Sequence, residues 1–295
     1  MKTPLKVHLA LAIVALIYGS TYVIAKGVMP LYLGPSAFIF IRITIAGILF
    51  HIVSLFYKRE KIQKRSDYVE MAIAGLTGVA ANMLLFFNGL AHTTELNASV
   101  LMLNAPIFVL LFSRMLLQGK ISWYQVLGIL ISAVGAVMLI GGTNFSFEGL
   151  TAKGDLKILL NATSFAFYLV YSKRILAKYK PLTMIRFMFT FGWFFVLPFA
   201  VRELGEADFQ SFPTRIWISI LYVSVATTFI AYILNAWAVK NASPTIAGSY
   251  IYLQPLIATG IAIGVGKQLL SVEKVIFAVL IFIGVYLVTT FNRQT

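Results

Sequence analysis

Ten long runs of apolar residues follow one another along the chain of 295 residues, separated by short polar connections. A membrane-spanning helix needs about 20 mostly apolar residues, and each run has roughly that length. The pattern therefore predicts an all-α integral membrane protein with ten transmembrane helices. The runs cover approximately residues 7–25, 36–57, 68–88, 96–117, 123–141, 155–173, 184–201, 215–236, 245–266 and 272–291.

The distribution of charge predicts the orientation of these helices. If the amino terminus is cytoplasmic, fifteen Lys and Arg residues fall on the cytoplasmic side and seven on the outer side, with Arg42 and Arg186 inside or at the mouth of a span. Cytoplasmic connections carry an excess of Lys and Arg, so both termini are expected in the cytoplasm. The net charge of +14 is accounted for by these short clusters, and no continuous basic face suggests a nucleic-acid partner.

Ten spans divide into two sets of five, residues 1–142 and residues 143–295. An odd number of spans per half makes the second half enter the membrane from the opposite side, which is an inverted repeat. At an offset of 149 positions, Pro106 matches Pro255 and Gly135 matches Gly284. The fifth and tenth spans are rich in small residues, which predicts that they pack closely together.

The clearest paired stretches are residues 94–106 and 243–255, each ending in a proline about ten residues inside its span. At 1.5 Å per residue this is roughly 15 Å, near the middle of a hydrocarbon core about 30 Å thick. Pro106 and Pro255 each remove one helical hydrogen bond and crowd the carbonyl four residues back, at Met102 and Ile251. Such broken backbone should line a cavity or pack against protein, although a static kink would have the same sequence.

Polar and aromatic side chains cluster around these breaks and within the neighbouring spans. Most of them should face protein or a water-filled route, because a polar group facing lipid is costly. Hydrogen bonding between helices is the alternative role for each of them. The candidates for substrate contact are Tyr18, Thr21, Arg42, Asn82, Asn97, Asn104, Pro106, Tyr168, Asn235, Trp237, Tyr250, Gln254 and Pro255.

Arg42 is the charge placed deepest within a span. It could capture a substrate carboxylate or form a gate pair with Glu95; the alternatives are snorkelling to the outer interface and a structural bond to helix-end carbonyls. No Asp or Glu lies near the centre of a span. We therefore expect either transport down a gradient or coupling through a peripheral acid, with Glu95 as the candidate.

The ordered features of the chain resemble the EamA-type transporters of the drug/metabolite transporter superfamily. They are the 5 + 5 layout, the segment Tyr18-Gly19-Ser20-Thr21-Tyr22, Arg42, the proline-broken fourth and ninth spans, and the glycines of the fifth and tenth. The resemblance implies a carrier that moves small metabolites, often amino acids, outward across the bacterial inner membrane. It also implies that spans one, three, four, six, eight and nine surround the cavity. The acid that family members often carry after the fourth or ninth span is missing here.

No sequence motif predicts an enzyme, a cofactor or a metal site. The chain has no Cys and only three widely separated His residues, and it contains no P-loop, nucleophile elbow or His-Glu-x-x-His pair. The leading hypothesis is a secondary exporter of small metabolites such as amino acids, working by alternating access around a cavity between the repeats. A nucleotide-sugar-type exchanger and a non-transporting membrane subunit are the alternatives, and the sequence leaves open whether the protein forms a homodimer.

Overall fold

The computed structural model describes residues 4–57, 60–93, 95–118, 120–140, 151–264 and 271–290, and this part of the chain is mostly helical, with short turns between the helices and without strands. The α-helices are α1 (Leu5–Lys26), α2 (Pro35–Leu55), α3 (Arg65–Gly75), α4 (Asn82–Leu90), α5 (Glu95–Met102), α6 (Ala105–Leu117), α7 (Trp123–Ile140), α8 (Thr151–Lys178), α9 (Pro181–Glu206), α10 (Thr214–Tyr222), α11 (Ala231–Asn241), α12 (Pro244–Ser249), α13 (Leu253–Gly264) and α14 (Val272–Thr290).

In the part of the chain that the structure describes, each of the ten apolar runs lies mainly on helical backbone. Within the described residues, six helical segments are long and apolar enough to cross a membrane, and two shorter apolar helices cover Leu5–Thr21 and Trp123–Leu139. Large apolar side chains are exposed along the outside of the bundle, as they are where a helix faces lipid. The prediction of a multi-pass helical membrane protein is therefore confirmed, whereas the number of crossings and their orientation stay predictions.

Four of the runs are irregular in their middle. Two contain π-helical turns, which we call the first π-segment (Leu76–Ala81, between α3 and α4) and the second π-segment (Val223–Ile230, between α10 and α11). The other two are the proline-broken runs: α5 and α6 are separated by a turn at residues 103–104, and a 3-10 turn over Tyr250–Tyr252 precedes α13. The breaks at the prolines were predicted from the sequence, and the π-segments were not.

Helices α7 and α14 pack against each other through small residues, as expected for the fifth and tenth spans. A Cβ added at Gly128 would lie 2.6 Å from the Gly284 carbonyl oxygen, so the two backbones touch. The Ser132 hydroxyl donates to the Ile281 carbonyl at 3.2 Å across the same contact. Close backbone approach of this kind is how small residues associate helices in a membrane.

Ionic and hydrogen-bond contacts join the helices at the end where α1 begins. The Lys173 ammonium donates to three backbone carbonyls at the end of α11, those of Val239, Lys240 and Ala242, at 2.8, 3.0 and 2.6 Å. Lys240 in turn donates to the Tyr179 carbonyl at 2.8 Å. These contacts tie α8 and α11 together, because cations satisfy helix-end carbonyls and complement the helix dipole.

Candidate functional site

A cavity lies between the irregular helices and has a volume of about 90 Å³. A water molecule needs at least about 10–15 Å³ by this measure, so the cavity is large enough for several waters or one small metabolite. Its lining comes from the segments that the family resemblance implies, with Arg42 of α2 in addition. The lining residues are Tyr18, Thr21, Arg42, Asn82, Met83, Phe86, Phe87, Met102, Asn161, Phe165, Thr227, Tyr232, Ile251 and Gln254.

Arg42 is the only charged residue among these lining residues, and its side chain is only 3% exposed. Its Nε atom donates to the Thr228 hydroxyl at 2.8 Å, and its guanidinium lies 4.9 Å from the centre of the Phe87 ring. No carboxylate within the described part of the chain pairs with it. The interpretation of Arg42 as a snorkelling residue is therefore wrong, because packing between α2 and the second π-segment holds it inside the protein.

The second π-segment orients the hydroxyl that holds Arg42. Thr228 donates its own proton to the carbonyl of Val223, five residues earlier, at 2.9 Å. The proton of the hydroxyl is thereby used, and a lone pair of its oxygen faces the Arg42 Nε–H. The hydrogen bonds that Arg42 can still donate from its terminal nitrogens are left for a group inside the cavity.

Asn161 of α8 brings an acceptor to the same cavity. Its Nδ2 donates to the Asn82 carbonyl at 2.6 Å, while its Oδ1 is buried and has no hydrogen-bond partner. An unpaired buried polar atom is costly, and those found in folded proteins are concentrated where a ligand or water completes the bonding. Arg42 thus supplies the cavity with a donor cation, and Asn161 lines it with an amide whose buried oxygen has no hydrogen-bond partner in the described part of the chain.

Aromatic rings and hydroxyls form the remaining walls. The Tyr232 hydroxyl donates to the carbonyl of Gly78 in the first π-segment at 2.8 Å, so the ring is fixed at the junction of the two halves. The hydroxyls of Thr21 and Thr227 lie 2.8 Å apart and join α1 to the second π-segment. These contacts hold the polar lining in place from several helices at once.

Five of the thirteen candidate residues line this cavity. They are Tyr18, Thr21, Arg42, Asn82 and Gln254. Two more, Asn235 and Tyr250, line a smaller cavity of about 10 Å³ that shares Tyr18, Phe165, Ile251 and Gln254 with the first. Met102 and Ile251, whose carbonyls the prolines were predicted to crowd, both line the main cavity.

The other candidate residues lie elsewhere. Asn97 is buried against Asp155, whose two carboxylate oxygens are 3.4 and 3.2 Å from its Nδ2, and Asp155 also accepts a hydrogen bond from Thr93. Asn104, in the turn between α5 and α6, donates to the carbonyl of Leu101 in α5 at 3.0 Å. Both amides are therefore satisfied by the protein rather than directed into the cavity.

Tyr168 and Trp237 are also separated from the cavity. The Tyr168 ring packs onto Gly78, where an added Cβ would overlap it. Trp237 lines a groove on the outside of the bundle. Pro106 is buried in the first turn of α6 and Pro255 is buried in α13, and neither is a lining residue. The side chain of Glu95 lies outside the described residues, so its predicted role as a gate stays a prediction.

Several lining residues were missed by reasoning from the sequence. Met83, Phe86, Phe87 and Phe165 are apolar residues in apolar runs, and no pattern distinguishes them from residues that face lipid. Thr227 and Tyr232 lie on and just after the second π-segment. A signal that could have found them is the polar pair Thr227-Thr228 in the middle of an otherwise apolar run.

Comparison with known proteins gives a consistent result. The model of the EamA-like transporter family matches residues 5–141 and again residues 152–290. A protein of Archaeoglobus fulgidus called an uncharacterized transporter is 28% identical over 292 residues, covering 98% of this chain and 99% of that protein. YedA of Escherichia coli K12, called an uncharacterized inner membrane transporter, is 28% identical over 290 residues, covering 95% of this chain and 89% of that protein. A solved crystal structure has the same fold, with a TM-score of 0.80 at 18% identity over 97% of each chain.

Proposed function

Because this chain belongs to the EamA-like transporter family, we propose that it is a secondary carrier that exports small zwitterionic metabolites, with amino acids as the substrate class. The family that the sequence resembles is thereby confirmed, and the protein is a membrane transporter rather than an enzyme. The substrate class and the direction are our proposal. The observation that carries the substrate class is the buried Arg42 guanidinium, which faces a small cavity without a carboxylate partner.

The lining supports a substrate that carries both a negative carboxylate and a positive ammonium group. A guanidinium matches a carboxylate with two parallel N–H···O bonds, so Arg42 would bind the α-carboxylate. The free Oδ1 of Asn161 would accept a hydrogen bond from the ammonium group. The rings of Tyr18, Tyr232 and Phe165 would surround the side chain of the substrate, and such a mostly apolar pocket with a few placed polar groups is typical of small-molecule sites.

The nucleotide-sugar alternative is not favoured by this lining. A substrate with two phosphates needs several cations, and Arg42 is the only Lys or Arg among the cavity-lining residues. No Asp or Glu is among the described residues that line the cavity, so we retain the proposal of transport down a gradient or coupling through a peripheral acid. Glu95→Gln, examined for a loss of pH-dependent flux in proteoliposomes, tests the second of these.

Movement of substrate would follow from the two halves rocking against each other about the cavity. This requires ten spans in two inverted sets of five, with both termini in the cytoplasm. Because the chain has no Cys, single cysteines at exposed positions can report the topology. We expect Glu206→Cys to react with a membrane-impermeant maleimide in intact cells and Gln63→Cys to react only after permeabilisation. The reverse result would invert the proposed orientation.

The substrate proposal is tested by flux measurements with purified protein in proteoliposomes. A panel of labelled amino acids is compared with their methyl esters and N-acetyl derivatives, which remove one charge each. We expect transport of free amino acids and at least about a tenfold loss for both derivatives, since each loses a charge-assisted hydrogen bond. Equal transport of the esters would overturn the role of the carboxylate, and no transport of any amino acid would overturn the substrate class.

Substitution of Arg42 sharpens the same test. Arg42→Gln should reduce transport by about a hundredfold, because one side of a charge pair in a low-dielectric cavity is lost. Arg42→Lys should retain part of the activity, since a lysine keeps the charge without the forked geometry. Arg215→Gln is the matched control, because Arg215 is exposed, lies outside the cavity lining and donates to the Tyr32 hydroxyl at 3.2 Å.

A further inference from the structure

A groove of about 660 Å³ runs along the outside of the bundle, at the end where α1 and α9 begin and α2 ends. It is separate from the cavity described above, with which it shares no lining residue. Its walls come from α1, α2, α9 and α11, and most of the side chains along them are apolar. The apolar lining residues are Leu9, Ala10, Ile13, Val53, Pro181, Leu182, Ile233, Leu234 and Trp237.

The rim of this groove is basic. Lys6 in the first turn of α1, Lys180 directly before α9, and Arg186 all line it, and Glu60 is the one acidic residue among its described lining residues. The Glu60 carboxylate already accepts a hydrogen bond from the backbone N–H of Lys180 at 2.9 Å. The side chains of Lys6 and Lys180 are exposed. Three cations against one engaged carboxylate give the groove a net positive mouth.

Arg186 lies deeper in the groove than the two lysines. It is five residues after the start of α9, which is roughly 8 Å along the helix axis. Its Nη1 donates to the Ser54 hydroxyl at 3.2 Å, and its guanidinium lies 4.7 Å from the centre of the Phe187 ring. These two contacts hold the guanidinium at the wall while leaving it further donors, so it can bind an oxyanion at the boundary between the basic rim and the apolar length.

We propose that this groove binds one anionic phospholipid of the leaflet on the side of the amino terminus. The phosphate would lie between Lys6, Lys180 and Arg186, and one acyl chain would lie along the apolar walls toward Ile13 and Leu234. The charge of the rim and the apolar length match the two parts of such a lipid. Basic pockets between transmembrane helices are the sites that anionic head groups occupy.

The site also has a structural consequence for the protein. The groove is lined by α1 and α2 of the first half and by α9 and α11 of the second, so a bound acyl chain would contact helices of both halves. An interfacial Trp237 indole at the mouth would contact the head-group region, where Trp is enriched in membrane proteins. A lipid in this place would stabilise the packing of the two halves.

The proposal is tested by native mass spectrometry of the detergent-purified protein after addition of phosphatidylglycerol or phosphatidylcholine. We expect retention of one phosphatidylglycerol and at least about a tenfold weaker retention of phosphatidylcholine. The variant K6Q/K180Q/R186Q should lose this preference. The matched control K153Q/K157Q/R215Q removes three basic residues elsewhere and should keep it. Ile13→Trp, which fills the groove without changing charge, should reduce the retention of both lipids.

Three results would overturn the proposal. Equal retention of the two lipids would show that the groove takes any acyl chain. Undiminished retention of phosphatidylglycerol in K6Q/K180Q/R186Q would place the lipid elsewhere. Thermal stabilisation by inorganic phosphate as large as that by phosphatidylglycerol would identify a free phosphate as the ligand. If the triple variant fails to fold, Ile13→Trp and the phosphate comparison still decide the question.

Discussion

The two π-segments occupy corresponding places in the two halves of the chain, yet their residues have different partners. The first π-segment presents Gly78, whose carbonyl accepts from Tyr232 and whose missing side chain makes room for the Tyr168 ring. The second π-segment presents Thr227 to the cavity and Thr228 to Arg42. The two halves therefore share the π-helical backbone but differ in the side chains at that place. The first π-segment packs against aromatic rings, and the second presents hydroxyl groups.

The proline-broken runs differ in the same way. Gln254, one residue before Pro255, lines the cavity, whereas Asn104, two residues before Pro106, donates a hydrogen bond to the Leu101 carbonyl of the preceding helix. A π-turn or a proline break frees backbone groups and changes helix direction wherever it occurs. Which side chains then face the cavity depends on the neighbours of each helix, so two related halves can build one asymmetric site.

Among substitutions that test the difference between the two π-segments, Gly78→Val should have the largest effect on stability. The new side chain would overlap the Tyr168 ring, and overpacking of this kind typically costs about 1–3 kcal/mol. We expect a fall in the melting temperature of the detergent-purified protein of several degrees. Val225→Ala, at the third residue of the second π-segment as Gly78 is of the first, should lower it much less, and an equal fall for both would contradict the difference between the segments.

A second substitution pair separates the two threonines of the second π-segment. Thr228→Val keeps the shape but removes the acceptor that holds Arg42, and a hydrogen bond to a charged group contributes about 1.5–3 kcal/mol. We expect the KM for transport to rise roughly tenfold to a hundredfold. Thr227→Val, which removes a bond between two neutral hydroxyls, should raise KM less than tenfold. A larger effect for Thr227→Val would assign the main role to that hydroxyl.

Gln254→Ala and Asn104→Ala compare the two broken runs directly. Gln254→Ala should weaken substrate binding by about threefold to tenfold, the size of one neutral hydrogen bond. Asn104→Ala should leave binding unchanged and lower the free energy of unfolding by about 0.5–1.5 kcal/mol, since it loses the local hydrogen bond to the Leu101 carbonyl. Isothermal titration calorimetry with the transported amino acid measures the first, and thermal melting measures the second.

The smallest expected effect on stability concerns α3, the helix that leads into the first π-segment. Helix α3 is anchored at Asp67, which accepts from the Lys178 ammonium at 2.9 Å and the Tyr179 hydroxyl at 2.6 Å. The side-chain hydrogen bonds to Asp67 and Glu70 raise the pKa of Lys178 above its usual value. A raised lysine pKa stabilises the folded protein below the unfolded pKa of about 10.4, and this stabilisation is lost as the pH rises through the folded pKa.

This loss can be measured with Lys178→Gln. The wild-type protein should lose slightly more stability between pH 9 and pH 11 than the variant does, because the variant has no ammonium to neutralise. The effect should be small, since the Lys178 side chain is 40% exposed and water screens the pair. Identical alkaline melting curves for the two proteins would show that this anchor contributes nothing measurable to holding α3.

The sequence alone determined the class of the protein and the places where its helices are irregular at proline. Ten apolar runs can be recognised because helices in lipid must be long and apolar, and a proline breaks the hydrogen-bond ladder wherever it stands. The packing of α7 on α14 followed from their small residues. The family followed from the order of these features, and it is confirmed.

Only the tertiary structure decided which polar groups share a cavity. Arg42, Asn97 and Asn104 are equally plausible as polar groups inside apolar runs, but the first faces the cavity and the other two are satisfied within the protein. The direction of a side chain depends on how its helix is rotated relative to its neighbours. The two π-segments change that rotation, and they contain no proline from which the change could be predicted. The site is therefore a property of packing between helices that are distant in sequence.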